Sequence, residues 1–303
     1  MPFSRLSPGI ARLIRDTVLF IVVMSALRFG VLFARQYFVF DAPPWWPLSI
    51  FNPRSPTLEE MLVAAAVALV FFAAMWRLER TQYRNLAEVT VFGMLLILGS
   101  SALQGPVYGF RQPTAGGTIQ YYHDAKRYSG APTQFLHDFN AIQPTLGDHG
   151  RTHPPGAVLL FRTLVKVTGD SPAAISVLIA AAAALISAGS FRLLLEITVP
   201  VSSRNSGVFL LLLLPAVQVY YCASLDAIIT SLLLATVGLF LLPPTLWRTA
   251  GTGGCLVAAS FLTFGFVWVA PLLLIVELNR WDRGRSLLRL FLLFAGFLAF
   301  YSV

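Results

Sequence analysis

The sequence predicts an all-α fold that crosses a membrane several times. Three observations predict it. Hydrophobic residues make up 56% of the 303 residues and charged residues only 12%, about half the charged share of an ordinary soluble domain. Several apolar runs are long enough to cross about 30 Å of hydrocarbon. Lys and Arg gather at the ends of those runs, where membrane orientation needs them.

The first span is predicted at 17–37. Arg5, Arg12 and Arg15 before it look like the start of a signal peptide. Arg28 interrupts the apolar run, however, and no small-residue cleavage site follows, so the run is read as retained. Arg28 itself either snorkels outward or marks a functional position. Trp45 and Trp46 in the next loop suit a membrane interface. The second span is predicted at 58–76, opened by Thr57 and Glu60 in capping-box spacing. The third is predicted at 87–103.

The polar stretch 104–154 follows, rich in Gly and Pro at its start. It cannot lie in lipid as irregular backbone, because its amides would go unsatisfied. Segment 155–168 is too short to span. Arg162 and Lys166 share one face of it, the pattern of an amphipathic helix lying on a membrane. Further spans are predicted at 172–191, 206–222 and 226–243. The run 251–277 has basic groups at both ends, Arg248 on one side and Arg280, Arg283 and Arg285 on the other. It reads as a re-entrant-type hairpin of two short helices, with one long tilted span as the alternative. The last span is predicted at 287–302, which makes about seven spans in all.

Most of the 22 Lys and Arg flank one side, among them Arg77, Arg192, Arg204, Arg248 and Arg289. Arg35 and Arg54 are the clearest on the other. The positive-inside rule then places the N-terminus in the cytoplasm and loop 104–171 outside. The turn at 223–226 falls on the same outer side. The expected organisation is two N-terminal spans over 1–86 and a membrane domain over 87–303 that carries the loop. There is no internal repeat.

The net charge of +8 does not argue for nucleic acid, since no polar segment carries a basic stripe interleaved with aromatics. Cys222 and Cys255 both fall in apolar runs, near opposite faces on this topology, so no disulfide is expected.

The titratable chemistry is concentrated. All four histidines lie between His123 and His153, together with Asp124, Asp138 and Asp148. Asp124 is the first candidate, as a general base on an acceptor hydroxyl. Lys126 and Arg127 beside it suit a phosphate, or simply pair with Asp124 as a solvated loop acid. His149 and His153 have the spacing of a helical metal pair, with Asp148 as a third ligand. Gly150 and Pro154 argue against a helix there, and hydrogen bonding to phosphate or loop backbone is the alternative, so the metal question stays open. In an extended segment His123 and Asp124 would face opposite ways. His137 and Asp138 sit in a predicted helix, PTQFLHDFNAI, and read as structural. Asp226 either caps the helix it begins or lines the site. No glycine-rich phosphate motif of the P-loop or Rossmann kind is present.

The order of these features resembles the GT-C superfamily of integral-membrane glycosyltransferases, glycosyltransferase family 39 in particular. The matching pieces are YYHDAKRY (121–128), HGRTHPPGAVLLFRTLVKVTGDSPAA (149–174) and YYCASLDAIITSLLLATVGLF (220–240), with a weaker match in SFLTFGFVWVAPLLL (260–274). The resemblance covers 87–303. It implies transfer of a sugar from a polyprenyl-phosphate donor to a lipid, glycan or protein acceptor, at the outer face of a bacterial plasma membrane. The family's loop aspartate falls on Asp124, its Pro-Pro motif on His153, Pro154 and Pro155, and its later aspartate on Asp226. In that reading Lys126, Arg127, Arg151 and His149 or His153 stabilise the leaving phosphate. No cofactor is required, and a divalent metal remains an option. This chain has Asp124-Ala125 where the family commonly has Asp-Glu, two spans precede the motifs instead of one, and members continue beyond the point where this sequence stops. The last departure implies a C-terminally incomplete chain. The alternative functions are a transporter or lipid flippase without transferase activity, or an inactive membrane scaffold.

Overall fold

The computed structural model describes residues 8–34, 37, 57–81, 85–117, 120–128, 130–279 and 283–301. Among them every regular element is helical and none is a strand. The chain divides into two compact units, 1–56 and 57–303. The first holds α1 (Pro8–Ala34), whose Phe20, Phe29 and Phe33 are exposed. Arg5, Arg35, Trp45, Trp46, Arg54, Arg84 and Arg280 lie outside the described residues, as does the side chain of Arg28.

The second unit begins with α2 (Leu58–Thr81). Its capping box forms as the spacing predicts. The Thr57 N–H donates to Glu60 Oε2 at 2.8 Å, and the Glu60 N–H donates to Thr57 Oγ1 at 3.2 Å, which satisfies two amides that a helix start otherwise leaves bare. In α3 (Leu86–Ala102) the Asn85 side chain accepts from the Ala87 N–H. An Arg77–Glu88 ion pair joins α2 to α3. Val67 lies against Gly99 so closely that a Cβ there would stand 2.6 Å from it. This packing puts α2 with α3, so the units meet at 56/57 and not at 86/87.

Beyond α3 the chain folds back sharply. Gly105 takes φ +81, open to glycine and strained for other residues. A π-helical turn at Val107–Arg111 then leads into α4 (Gln112–Ala115). The pair is bent by 118°. A Cβ at Gly109 would sit 2.0 Å from the Ser101 carbonyl oxygen, so the close approach requires glycine.

The stretch expected as a loop is a cluster of short helices: α5 (Tyr121–Arg127), α6 (Pro132–Ile142), α7 (Asp148–Arg151) and α8 (Pro155–Thr168). Pro132 and Pro155 stand at first helical positions, where a missing N–H costs nothing. α8 has the predicted bounds and ends at Gly169, φ +62, the left-handed stop that glycine favours. It packs on α5, with Gly156, Ala157, Val158 and Phe161 buried.

α9 (Pro172–Thr198) is the central helix, capped by Ser171. It buries Ala180, Ala183, Ala184, Ser187 and Ala188, small residues that let α12 (below) approach closely. The predicted span 206–222 is instead two helices, α10 (Val201–Leu212) and α11 (Pro215–Tyr220). Pro215 cannot donate into a continuous helix. Gln218 mends the break, donating to the Leu212 carbonyl at 2.7 Å and accepting from Ser100 Oγ at 2.9 Å.

α12 (Leu225–Leu241) packs along α9. The run 251–277 is likewise broken, into α13 (Leu246–Leu262) and α14 (Val269–Asn279), joined by a 3₁₀ turn. Thr263 Oγ1 accepts the Gly265 N–H at that joint. α15 (Arg283–Tyr301) completes the unit.

Two described helices are long and apolar enough to cross a membrane, Leu58–Leu78 and Pro172–Thr198, or up to three if the bent pair Leu86–Ala102 and Val107–Ala115 forms one span. The other expected spans are shorter or broken. A helix of 17 residues such as α12 rises only about 25 Å, less than the hydrocarbon thickness.

Some charges counted as flanking are built into the fold. Arg204 donates to the Glu196 and Val199 carbonyls at the end of α9. Arg289, expected at a membrane edge, is buried. It pairs with Glu277 at 3.3 Å, donates to the Phe240 carbonyl at 2.9 Å and lies 4.0 Å from the Phe240 ring centre. Both cysteines are free.

Candidate functional site

A cleft of about 490 Å³ opens between the end of α3, α5, α7 and the turn before α12. Tyr121, His149, His153, Gln104, Ser224 and Asp226 line it. Tyr121 is its hub. The His149 and His153 rings each meet it edge-on with centroids 5.5 Å away, and Phe161 packs at 5.4 Å. Burial, with Asp226 adding to it, holds the Tyr121 hydroxyl well above the usual phenol range. It therefore stays a neutral hydrogen-bond donor.

His149 lies on α7 and His153 just past it, before Pro154. The His153 Nδ1 is 3.1 Å from the His149 carbonyl. That contact requires a proton on Nδ1 and leaves Nε2 as an acceptor.

Asp226 had two readings, cap or site. Ser224 takes the cap, its Oγ accepting the Asp226 N–H at 3.2 Å. The Asp226 side chain lines the cleft.

Asp124 lies one helical turn beyond Tyr121 but does not line the cleft. Its segment is the helix α5, not extended chain, and His123 turns away toward the Ala115 carbonyl at 3.1 Å. Asp124 is 2% exposed. Both carboxylate oxygens are 3.1 Å from the Gly147 N–H, at the start of α7. A Cβ at Gly150 would fall 2.3 Å from Asp124 Oδ2. The buried carboxylate thus anchors the helix that carries His149. Burial pushes its carboxyl above the usual range, against the opposing pull of the Gly147 N–H, Arg127 and His123.

The sign of this shift gives a test. A carboxyl that holds its proton more tightly folded than unfolded favours folding at low pH, and that advantage is lost as pH rises through the folded value. Asp124→Asn keeps an oxygen for Gly147 and cannot ionise. Its thermal stability relative to wild type should therefore improve from about pH 4 to pH 7. Parallel stability curves would contradict the shift.

The remaining candidates lie off the cleft wall. Lys126 pairs with Asp170 at 2.6 Å, and Tyr122 donates to the same carboxylate at 2.6 Å. Arg127 donates to the Thr145 carbonyl at 3.0 Å. Asp148 and Arg151 pair with each other at 2.6 Å, both exposed. His137 and Asp138 pair on the exposed side of α6. Among the described residues no three His, Cys, Asp or Glu side chains are grouped to hold a metal.

Sequence reasoning passed over Tyr121 and Asp170. Tyr121 stands three residues before Asp124, one turn away on the same helix. Asp170 follows Gly169 and takes φ +69, and the Gly-Asp-Ser-Pro junction between helices was its signal. Compared with protein-family models, with curated proteins and with solved structures, the chain matches none.

Proposed function

We propose that this chain is an integral-membrane glycosyltransferase of the GT-C kind. It would carry a sugar from a polyprenyl-phosphate donor to a lipid, glycan or protein hydroxyl at the extracytoplasmic face. The observation behind this reading is the cleft itself: a carboxylate, a neutral phenol and two imidazoles from distant segments share one cavity. The reading keeps the seven-span topology with its N-terminus in the cytoplasm, and a setting among membrane lipids without nucleic acid.

In this reading Asp226 takes the acceptor proton, because it is the carboxylate lining the cleft. The acceptor oxygen then bonds to the anomeric carbon as the bond from that carbon to the phosphate oxygen breaks. The polyprenyl phosphate leaves with the electron pair, and the sugar is inverted. The Tyr121 hydroxyl and the histidines stabilise the charge growing on the phosphate. Asp124 acts indirectly, by holding α7 and so His149 in place.

The test is a membrane assay with a panel of labelled polyprenyl-phosphate sugars, with and without chelator. Transfer from at least one donor is expected. No transfer from any of them, with the chain folded in the membrane, sinks the reading, and loss on chelation alone would assign a metal.

A further inference from the structure

A second cavity of about 760 Å³ lies on the other side of α5, against α8 and the start of α6. It shares no lining residue with the cleft. Lys126, Arg162 and Lys166 bring three positive charges to it, and Asp170 one negative charge, so two positive charges remain. Lys126 and Tyr122 hold the Asp170 carboxyl below its usual range, which keeps that negative charge in place.

The cations are not all used by the fold. Arg162 gives Nη2 to the Gly130 carbonyl and rests its guanidinium 5.8 Å from the Phe135 ring centre. Its Nη1 is buried with no hydrogen-bond partner among the described residues. Leaving such a donor unmet costs free energy. Lys166 is exposed and makes no ion pair among the described residues. Beside these charges lie Leu159, Val165 and Val167 on α8, the last 70% exposed.

A guanidinium, an ammonium and an aliphatic strip on one amphipathic helix match a phosphate attached to a hydrocarbon chain. We infer that this cavity docks the phosphodiester headgroup of an anionic phospholipid, with acyl chain along the α8 strip. The lipid braces α8, α6 and α5, and through α5 the floor of the cleft. This site takes Lys126 out of sugar-donor binding. It stands whether or not the cleft transfers sugar, because its readout is binding alone.

The test uses the purified full chain in neutral detergent. Short-chain phosphatidylglycerol, phosphatidylcholine and inorganic phosphate are titrated separately, with thermal shift and native mass spectrometry as readouts. Phosphatidylglycerol should bind and stabilise, and the other two should not. Arg162→Gln with Lys166→Gln should weaken that binding roughly thirtyfold, from about a fivefold contribution per cation. Arg248→Gln, elsewhere on the chain, should leave it unchanged. Should the double variant not fold, Lys166→Gln alone, at an exposed side chain, should weaken binding about fivefold. Equal binding of phosphatidylcholine, an equal response to inorganic phosphate, or undiminished binding in the variants overturns the proposal.

Discussion

Asp226→Asn should reduce sugar transfer by about a hundredfold to ten-thousandfold in kcat, the usual worth of a positioned general base. The KM for the donor should change little, since the carboxamide keeps the shape of the side chain. Helix α12 should be unaffected, because Ser224 supplies its cap. Asp124→Asn should cost far less, since its oxygen can still accept the Gly147 N–H and hold α7. The order of the two variants is the discriminating result. If Asp124→Asn is the more damaging in kcat while His149 keeps its place, the base is Asp124 and the buried carboxyl must move to act. Assays at saturating donor separate the two outcomes, because a misplaced α7 would raise KM as well.

Arg289→Met should be the most destabilising single change in the second unit. Arg289 is 3% exposed and Glu277 5%, so removing the cation strands a carboxylate away from water. It also takes a donor from the Phe240 carbonyl, near the end of α12. Breaking a buried pair in this way costs about 3–5 kcal/mol, a fall in unfolding midpoint of roughly 10 °C for a unit of this size. Glu277→Gln added to Arg289→Met should recover much of the loss, because a pair replaced as a whole leaves no stranded charge. An unshifted midpoint in the single variant would mean that the pair contributes nothing to holding α14 and α15 on α12.

How much of this was legible in the sequence follows from the range of the interactions. The capping box at Thr57 and Glu60 and the extent of α8 depend on neighbours within a turn or two, and both stood as read. The bend after α3 depends on Gly109 meeting a carbonyl of α3, and a glycine in a polar stretch does not announce that partner. The break at Pro215 was visible as a proline. Its repair by Gln218 and Ser100 was not, because those residues are 118 positions apart. Arg289 counted as one more basic residue at a helix end, since charge counting ignores burial. At the site, composition marked the right stretch of chain. It could not tell that α5 turns Asp124 inward while Asp226 arrives on the cleft wall from another helix.

The fit of Gly150 over Asp124 also bears on how this protein can vary. The two positions occupy one shared volume, since a Cβ on one would overlap the carboxylate of the other. A larger residue at 150 is tolerable only where 124 has shrunk, so the two should drift together across descendants of this sequence. A methyl group at 150 would act as a wedge, prising α7 off α5 and carrying His149 away from Tyr121. Gly150→Ala should then lose function by itself and regain part of it with Asp124→Ser, a reciprocal epistasis readable in a four-member combinatorial library.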